Sequence, residues 1–111
     1  MYKIVWSNPV KNELDTAYDK LINESFEPII ADNLIIDFYE KLEHLEFMPF
    51  SRMLVDDYYL SKKGIRTILV KNYILIFTIN EQRKIVNLVR FLPSRSDWMN
   101  ILKEDFDNED S

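Results

Sequence analysis

Three arginines carry the most suggestive chemistry in this chain. Arg66 and Arg90 fall in strand-like runs, and Arg95 opens the tetrapeptide Arg95-Ser96-Asp97-Trp98. A guanidinium presents its donors as a rigid fork that matches a carboxylate or a phosphate. Brought together, the three could grip an acidic protein surface or a phosphate backbone, with Trp98 or Ile101 as an apolar neighbour. The competing reading is structural: Arg95 pairs with Asp97 or closes the end of a sheet, and Trp98 is a packing anchor. Asp97 suits a helix N-terminus, where a carboxylate contributes roughly 0.3–1 kcal/mol. The only histidine, His44, lies in a helical stretch and reads as solvated or packed against a neighbouring helix. Asp56 and Asp57 are adjacent, so on an extended segment they point to opposite faces and make a poor catalytic pair. With no cysteine there is no disulfide framework and no cysteine-ligated metal site. A single glycine, Gly64, excludes a glycine-rich phosphate loop. No cofactor and no metal are expected.

The net charge of −5 conceals a strong polarity. Residues 1–60 carry −7, residues 61–103 carry +7, and residues 104–111 have five acidic side chains and no basic one. The total argues against general nucleic-acid affinity, but the middle block could form a local basic face. A length of 111 residues with 47% hydrophobic content suits one domain with one core, here placed at residues 1–103. The acidic stretch 104–111 reads as a disordered tail. No apolar run approaches the roughly 20 residues a membrane helix needs, and no signal peptide precedes the first strand-like run. The expected setting is a reducing cytoplasm.

These residues must be positioned by a small set of elements. Tyr2 to Trp6 reads as a strand, and Ser7-Asn8-Pro9 as a helix start. Val10, Leu14, Ala17 and Leu21 make one helical face; Ile30, Leu34, Phe38, Leu42 and Leu45 make a second. The bend between them falls at Phe26-Glu27-Pro28. Met53 to Leu60 reads as a weak strand or extended segment, followed by strands over 65–70, 73–79 and 84–91. A final helix contains Trp98, Ile101 and Leu102. The order β-α-α-β-β-β-α predicts an α+β domain, a helical hairpin packed on one face of a mainly antiparallel sheet. The opposite face and an unpaired strand edge are then expected to be docking surfaces.

From Val55-Asp56-Asp57 through Gly64-Ile65-Arg66, Lys71-Asn72-Tyr73 and Arg90-Phe91-Leu92 to Arg95-Ser96-Asp97-Trp98, the chain resembles the RelE/ParE family of toxins from bacterial type II toxin–antitoxin pairs. The resemblance covers about residues 2–103. It implies growth inhibition, relieved when a cognate antitoxin binds. Two modes occur among such relatives: ParE-like inhibition of DNA gyrase, and RelE-like cleavage of messenger RNA in the ribosome. The nuclease mode implies cations on the central strands and, in several members, a late tyrosine or histidine. Arg66 falls near one of those cations and Arg95 matches an arginine of the closing motif; Ile74, Pro93 and Met99 stand where an arginine, a basic residue and a tyrosine are expected. The departures favour a binding inhibitor over a metal-independent endoribonuclease, and leave an inactive, partner-binding relative as a further alternative.

Overall fold

The chain starts in the sheet. Lys3–Trp6 form β1, which runs parallel to the last strand, with Lys3 opposite Ile85 and Trp6 opposite Leu88. A computed structural model describes residues 1–25 and 27–109; Phe26, placed in the bend by the sequence, lies outside the described residues, as do Asp110 and Ser111. Ser7 caps α1 (Asn8–Glu24), its hydroxyl accepting from the Val10 N–H while Pro9 occupies the first turn, where its missing N–H is no loss. Val10, Leu14 and Ala17 are buried at the predicted helical spacing. In α2 (Pro28–Phe47) the buried stripe is Ala31, Leu34, Phe38, Leu42 and Leu45. Ile30, expected on that stripe, is exposed, and Ala31 takes the inner place. A small side chain there lets the start of α2 approach its neighbours closely.

The sheet order is β1-β4-β3-β2, built from β2 (Arg66–Val70), β3 (Tyr73–Asn80) and β4 (Ile85–Pro93) in antiparallel pairs, with β1 added in parallel at one edge. The turns are tight: Lys71, at φ 53° in the two-residue connection between β2 and β3, adopts the left-handed backbone that such connections demand of at least one position, and Lys84, at φ 57°, does the same at the end of the four-residue connection between β3 and β4. A register shift between Ile76 and Phe77 leaves Val89 of β4 without an opposing residue. The helical hairpin covers one face of the sheet, where Phe38, Phe77 and Phe91 are fully buried in the main core.

The other face is also covered. Met53 to Leu60 was expected to extend, but only Leu54 bridges to β2; Tyr58–Lys62 instead wind into a short helix, α3. The reason is local: the Asp57 carboxylate accepts the Leu60 N–H at 3.0 Å and satisfies an otherwise unpaired donor of the first turn. The final helix, α4, runs from Trp98 to Glu109. Residues 104–109, expected as a disordered acidic tail, therefore belong to the fold. Phe106 packs into a second core with Leu60, Ile65, Ile74, Ile76, Leu92 and Leu102, so the sheet face predicted to stand open is filled by α3 and α4. Among the described residues no helix is long and apolar enough to cross a membrane.

Candidate functional site

The three arginines are not brought together. Arg66 sits opposite Phe77, at the start of β2; Arg95 follows Pro93, which lies opposite Tyr73 at the other end of the sheet. Four residues of strand separate the two levels, about 13 Å at the usual rise. Arg66 donates to the Arg52 carbonyl and lies 5.1 Å over the Phe50 ring. The expected single arginine cluster is therefore absent, because the strand register spreads its members along the sheet.

Arg90 is bound inside the fold. Its Nε and Nη2 donate to the Glu13 carboxylate, the latter at 2.7 Å, and its Nη1 donates to Asp105 at 2.7 Å. Glu13 also accepts the Phe91 N–H at 3.0 Å. This arrangement follows from where β1 stops. Beyond Leu88 the edge of β4 has no partner strand, so the Ser7 hydroxyl takes the Val89 carbonyl and Glu13 takes the Phe91 N–H. The Glu13 hydrogen bond pushes the guanidinium pKa above its already high value; partial burial opposes that, and Asp105 adds to it. Arg90 thus ties α1, β4 and α4 into one body. Neither Glu13 nor Asp105 stood out in the sequence, because partners so far apart in the chain leave no spacing signal.

The other named residues divide between surface and core. Arg95 is exposed and borders a cleft of about 370 Å³ with Lys20, Asn72, Tyr73 and Ser94. Among the described residues neither Lys20 nor Arg95 has an ion-pair partner. Trp98 and Ile101 are half-buried and pack against the second core. Asp97 immediately precedes α4 and accepts from the Asn100 side-chain amide at 2.8 Å. His44 is exposed, with Nε2 2.8 Å from the Ser51 hydroxyl. Much of the basic block is committed to rings or carboxylates: Lys62 lies over Tyr58, Lys84 over Tyr2, and Lys103 pairs with Asp57 at 2.7 Å. That lysine, with the Leu60 N–H, holds the Asp57 carboxyl below the usual carboxylate range.

A second feature was not singled out in the sequence. A groove of about 740 Å³ follows β1 along the C-terminal half of α2, with Trp6, Tyr39 and Phe47 among its walls. Its signal was faint: Tyr39 and Phe47 fall off the buried stripe of α2, so they are large rings that the helix cannot bury itself.

A small α+β domain with a helical hairpin on one face of a four-stranded sheet is the fold class expected above. The chain belongs to the family of ParE toxins of the type II toxin–antitoxin system parDE, whose family model matches residues 4–98. No curated protein sequence matches it significantly. Among solved structures it is similar to a chain of the chromosomal ParDE system from P. aeruginosa, with TM-score 0.65 and 18% identity over 84% of this chain and 96% of that one. It is also similar to a chain of the toxin–antitoxin complex RelBE2 from Mycobacterium tuberculosis, with TM-score 0.53 and 12% identity over 83% and 96%. The chain is thus the toxin component of a type II toxin–antitoxin module, with the α+β fold that the motifs implied.

Proposed function

We propose that this toxin arrests bacterial growth by stoichiometric binding to an essential target, with DNA gyrase the favoured one, and that a cognate antitoxin keeps it silent. The observation that carries the binding mode is the state of its cations. Metal-free RNA cleavage needs a base, an acid and cations converging on one phosphate. Here Arg90 is taken by two carboxylates, Arg66 is held at the far end of the sheet from Arg95, and Ile74, Pro93 and Met99 are not ionisable. The exposed Arg95 and the half-buried Arg66 are proposed to contact the target at separate points, with Trp98 and Ile101 of the final helix as apolar neighbours. The antitoxin partner is supported by family membership and by the M. tuberculosis relative, which was solved as a toxin–antitoxin complex.

A second reading, a ribosome-dependent messenger-RNA endonuclease, is favoured by one feature. The cleft at Arg95 gathers Lys20, Tyr73 and Ser94 around a space large enough for a phosphodiester. The experiment is a pair of assays with one preparation of purified toxin. Gyrase supercoiling should fall in proportion to toxin added, while a translating extract shows no new messenger-RNA 5′ ends. Codon-phased cleavage that disappears with Arg95→Ala, together with unimpaired gyrase, refutes the binding mode.

A further inference from the structure

The cleft at Arg95 forms where three parts of the chain meet at one end of the sheet. Lys20 and Leu21 come from the last turns of α1, Asn72 and Tyr73 from the entry into β3, and Pro93, Ser94 and Arg95 from the end of β4 and the turn after it. Its floor is fixed by hydrogen bonds. The Ser94 N–H donates to the Asn72 carbonyl at 2.9 Å, which ties the two loops together. The Ser96 N–H and hydroxyl both donate to the Pro93 carbonyl, at 3.0 and 2.6 Å, and Arg95 sits on the turn they close. Tyr73 is held by stacking on Phe91, with ring centroids 5.0 Å apart and 14° between the planes.

The lining holds donors and no carboxylate. Lys20 and Arg95 bring two positive charges, and Asn72, Tyr73 and Ser94 bring an amide and two hydroxyls. Among the described residues none of these five side chains makes an ion pair or a hydrogen bond. Other cations of this fold are neutralised: Arg90 by Glu13 and Asp105, Lys103 by Asp57, Lys41 by Asp37. Asp19 and Glu24 neighbour Lys20 in the chain and Asp97 follows Arg95, yet none of the three lines the cleft, and Asp97 is engaged by the Asn100 amide. Leu21 and Pro93 supply apolar wall. The volume of about 370 Å³ lies within the usual small-ligand range of about 300–1,000 Å³, which leaves room for an organic group beside an anion.

We infer that this cleft binds a phosphate monoester, the dianionic group carried by a free nucleotide or by the phosphorylated end of a nucleic-acid strand. Charge decides the class. A monoester carries about −1.5 to −2 at pH 7, enough to balance both cations. A diester, the group that strand cleavage would need, carries a single charge, as does a carboxylate. Arg95 offers a planar fork of donors and Lys20 a point charge. The Tyr73 and Ser94 hydroxyls and the Asn72 amide take the remaining phosphate oxygens, and the nucleoside lies against Leu21 and Pro93. No histidine or carboxylate lines the cleft to act as a base, so the ester is held and not cleaved. The inference goes beyond the gyrase reading, and each stands if the other fails.

The test is titration calorimetry on the full chain at low salt. Adenosine 5′-monophosphate should bind with a Kd of about 1 mM or tighter. Adenosine should not bind, and 3′,5′-cyclic AMP, the diester of the same nucleoside, should bind at least about ten-fold more weakly. Lys20→Gln and Arg95→Gln should each weaken binding by about ten-fold or more. Both positions are exposed, so an unchanged Tm shows that the variants fold. Arg83→Gln, exposed on another turn, should leave affinity as it is. Between pH 7 and pH 5 affinity should fall by about ten-fold, as the phosphate takes up its second proton near pH 6. A DNA hexamer with and without a 5′-phosphate separates the sources. Binding of the phosphorylated hexamer at least about ten-fold tighter than AMP makes a strand end the ligand, and equal binding makes it a free nucleotide; either supports the site. No binding of AMP at about 10 mM or of the phosphorylated hexamer at about 1 mM overturns it. So does cyclic AMP binding as well as AMP, or AMP binding that survives both Lys20→Gln and Arg95→Gln.

Discussion

Replacing Arg90 by Met keeps most of the aliphatic stem and removes the charge that holds three elements together. The Arg90 and Glu13 side chains are 21% and 18% exposed, and Asp105 is 39% exposed. An exposed ion pair is worth about 0–1 kcal/mol, whereas breaking a buried one costs about 3–5 kcal/mol because a charge is stranded. The Glu13 side of the triad approaches the buried case, and the Asp105 side must be discounted for solvent screening. The substitution should therefore destabilise the fold by about 2–3 kcal/mol. With an unfolding entropy of roughly 2.1 cal/mol/K per residue, each 1 kcal/mol lowers the Tm of a 111-residue chain by about 4 °C. Thermal unfolding should show a fall of about 8–13 °C. Glu13→Gln in the Arg90→Met background should recover part of it, since the stranded carboxylate is then neutral. A fall under about 3 °C, or strictly additive single effects, would refute the reasoning.

Truncation after Lys103 tests the last helix directly. A disordered tail could be removed at no cost, but the structure places Asp105 on Arg90 and Phe106 against Tyr59, so the truncated chain should melt at least about 5 °C lower. Leu102→Ala empties a fully buried position in the second core and should destabilise by about 2–5 kcal/mol in chemical denaturation. Gly64 sits at φ +81° with open space around it, so Gly64→Ala should cost about 1 kcal/mol through backbone conformation alone, with no change in m-value. Asp57 gives a pH signature. Its carboxyl is held low in the folded state, first by Lys103, so its contribution is complete above the unfolded value near 3.9 and fades as pH falls through the lower folded value. The Tm gap between wild type and Asp57→Asn should be flat above about pH 5 and close below about pH 4; a gap that widens on acidification would contradict the pairing.

Helices with a regular stripe were legible. Val10, Leu14 and Ala17 are buried as their spacing requires, and in α2 the one discrepancy, Ile30 for Ala31, is a rotation of a single position. The end of the chain was misjudged because composition outweighed periodicity. Trp98, Ile101, Leu102, Asp105 and Phe106 continue one helical face past Lys103, and that pattern survives the acidic residues around it. The helix at Tyr58–Lys62 was hidden by two tyrosines of strand character, and its cap at Asp57 was the overlooked clue. The candidate site was less legible than the fold. Three arginines of one type read as a group, yet the strand register sends them to different levels and gives one of them two carboxylates. Such pairings lie in tertiary geometry, which residue spacing does not encode.

The parallel pairing of β1 with β4 has a temporal consequence. Lys3 waits for Ile85, and Ser7 for Val89, 82 positions further along. At roughly 5–20 residues per second, synthesis of that interval takes about 4–16 s. The helical hairpin can form early from local contacts, but the first strand has nothing to join until the last one emerges. During those seconds β1 is a bare strand with both edges free, beside a hairpin whose apolar face has no sheet to cover. A nascent toxin is thus incomplete for most of its own translation.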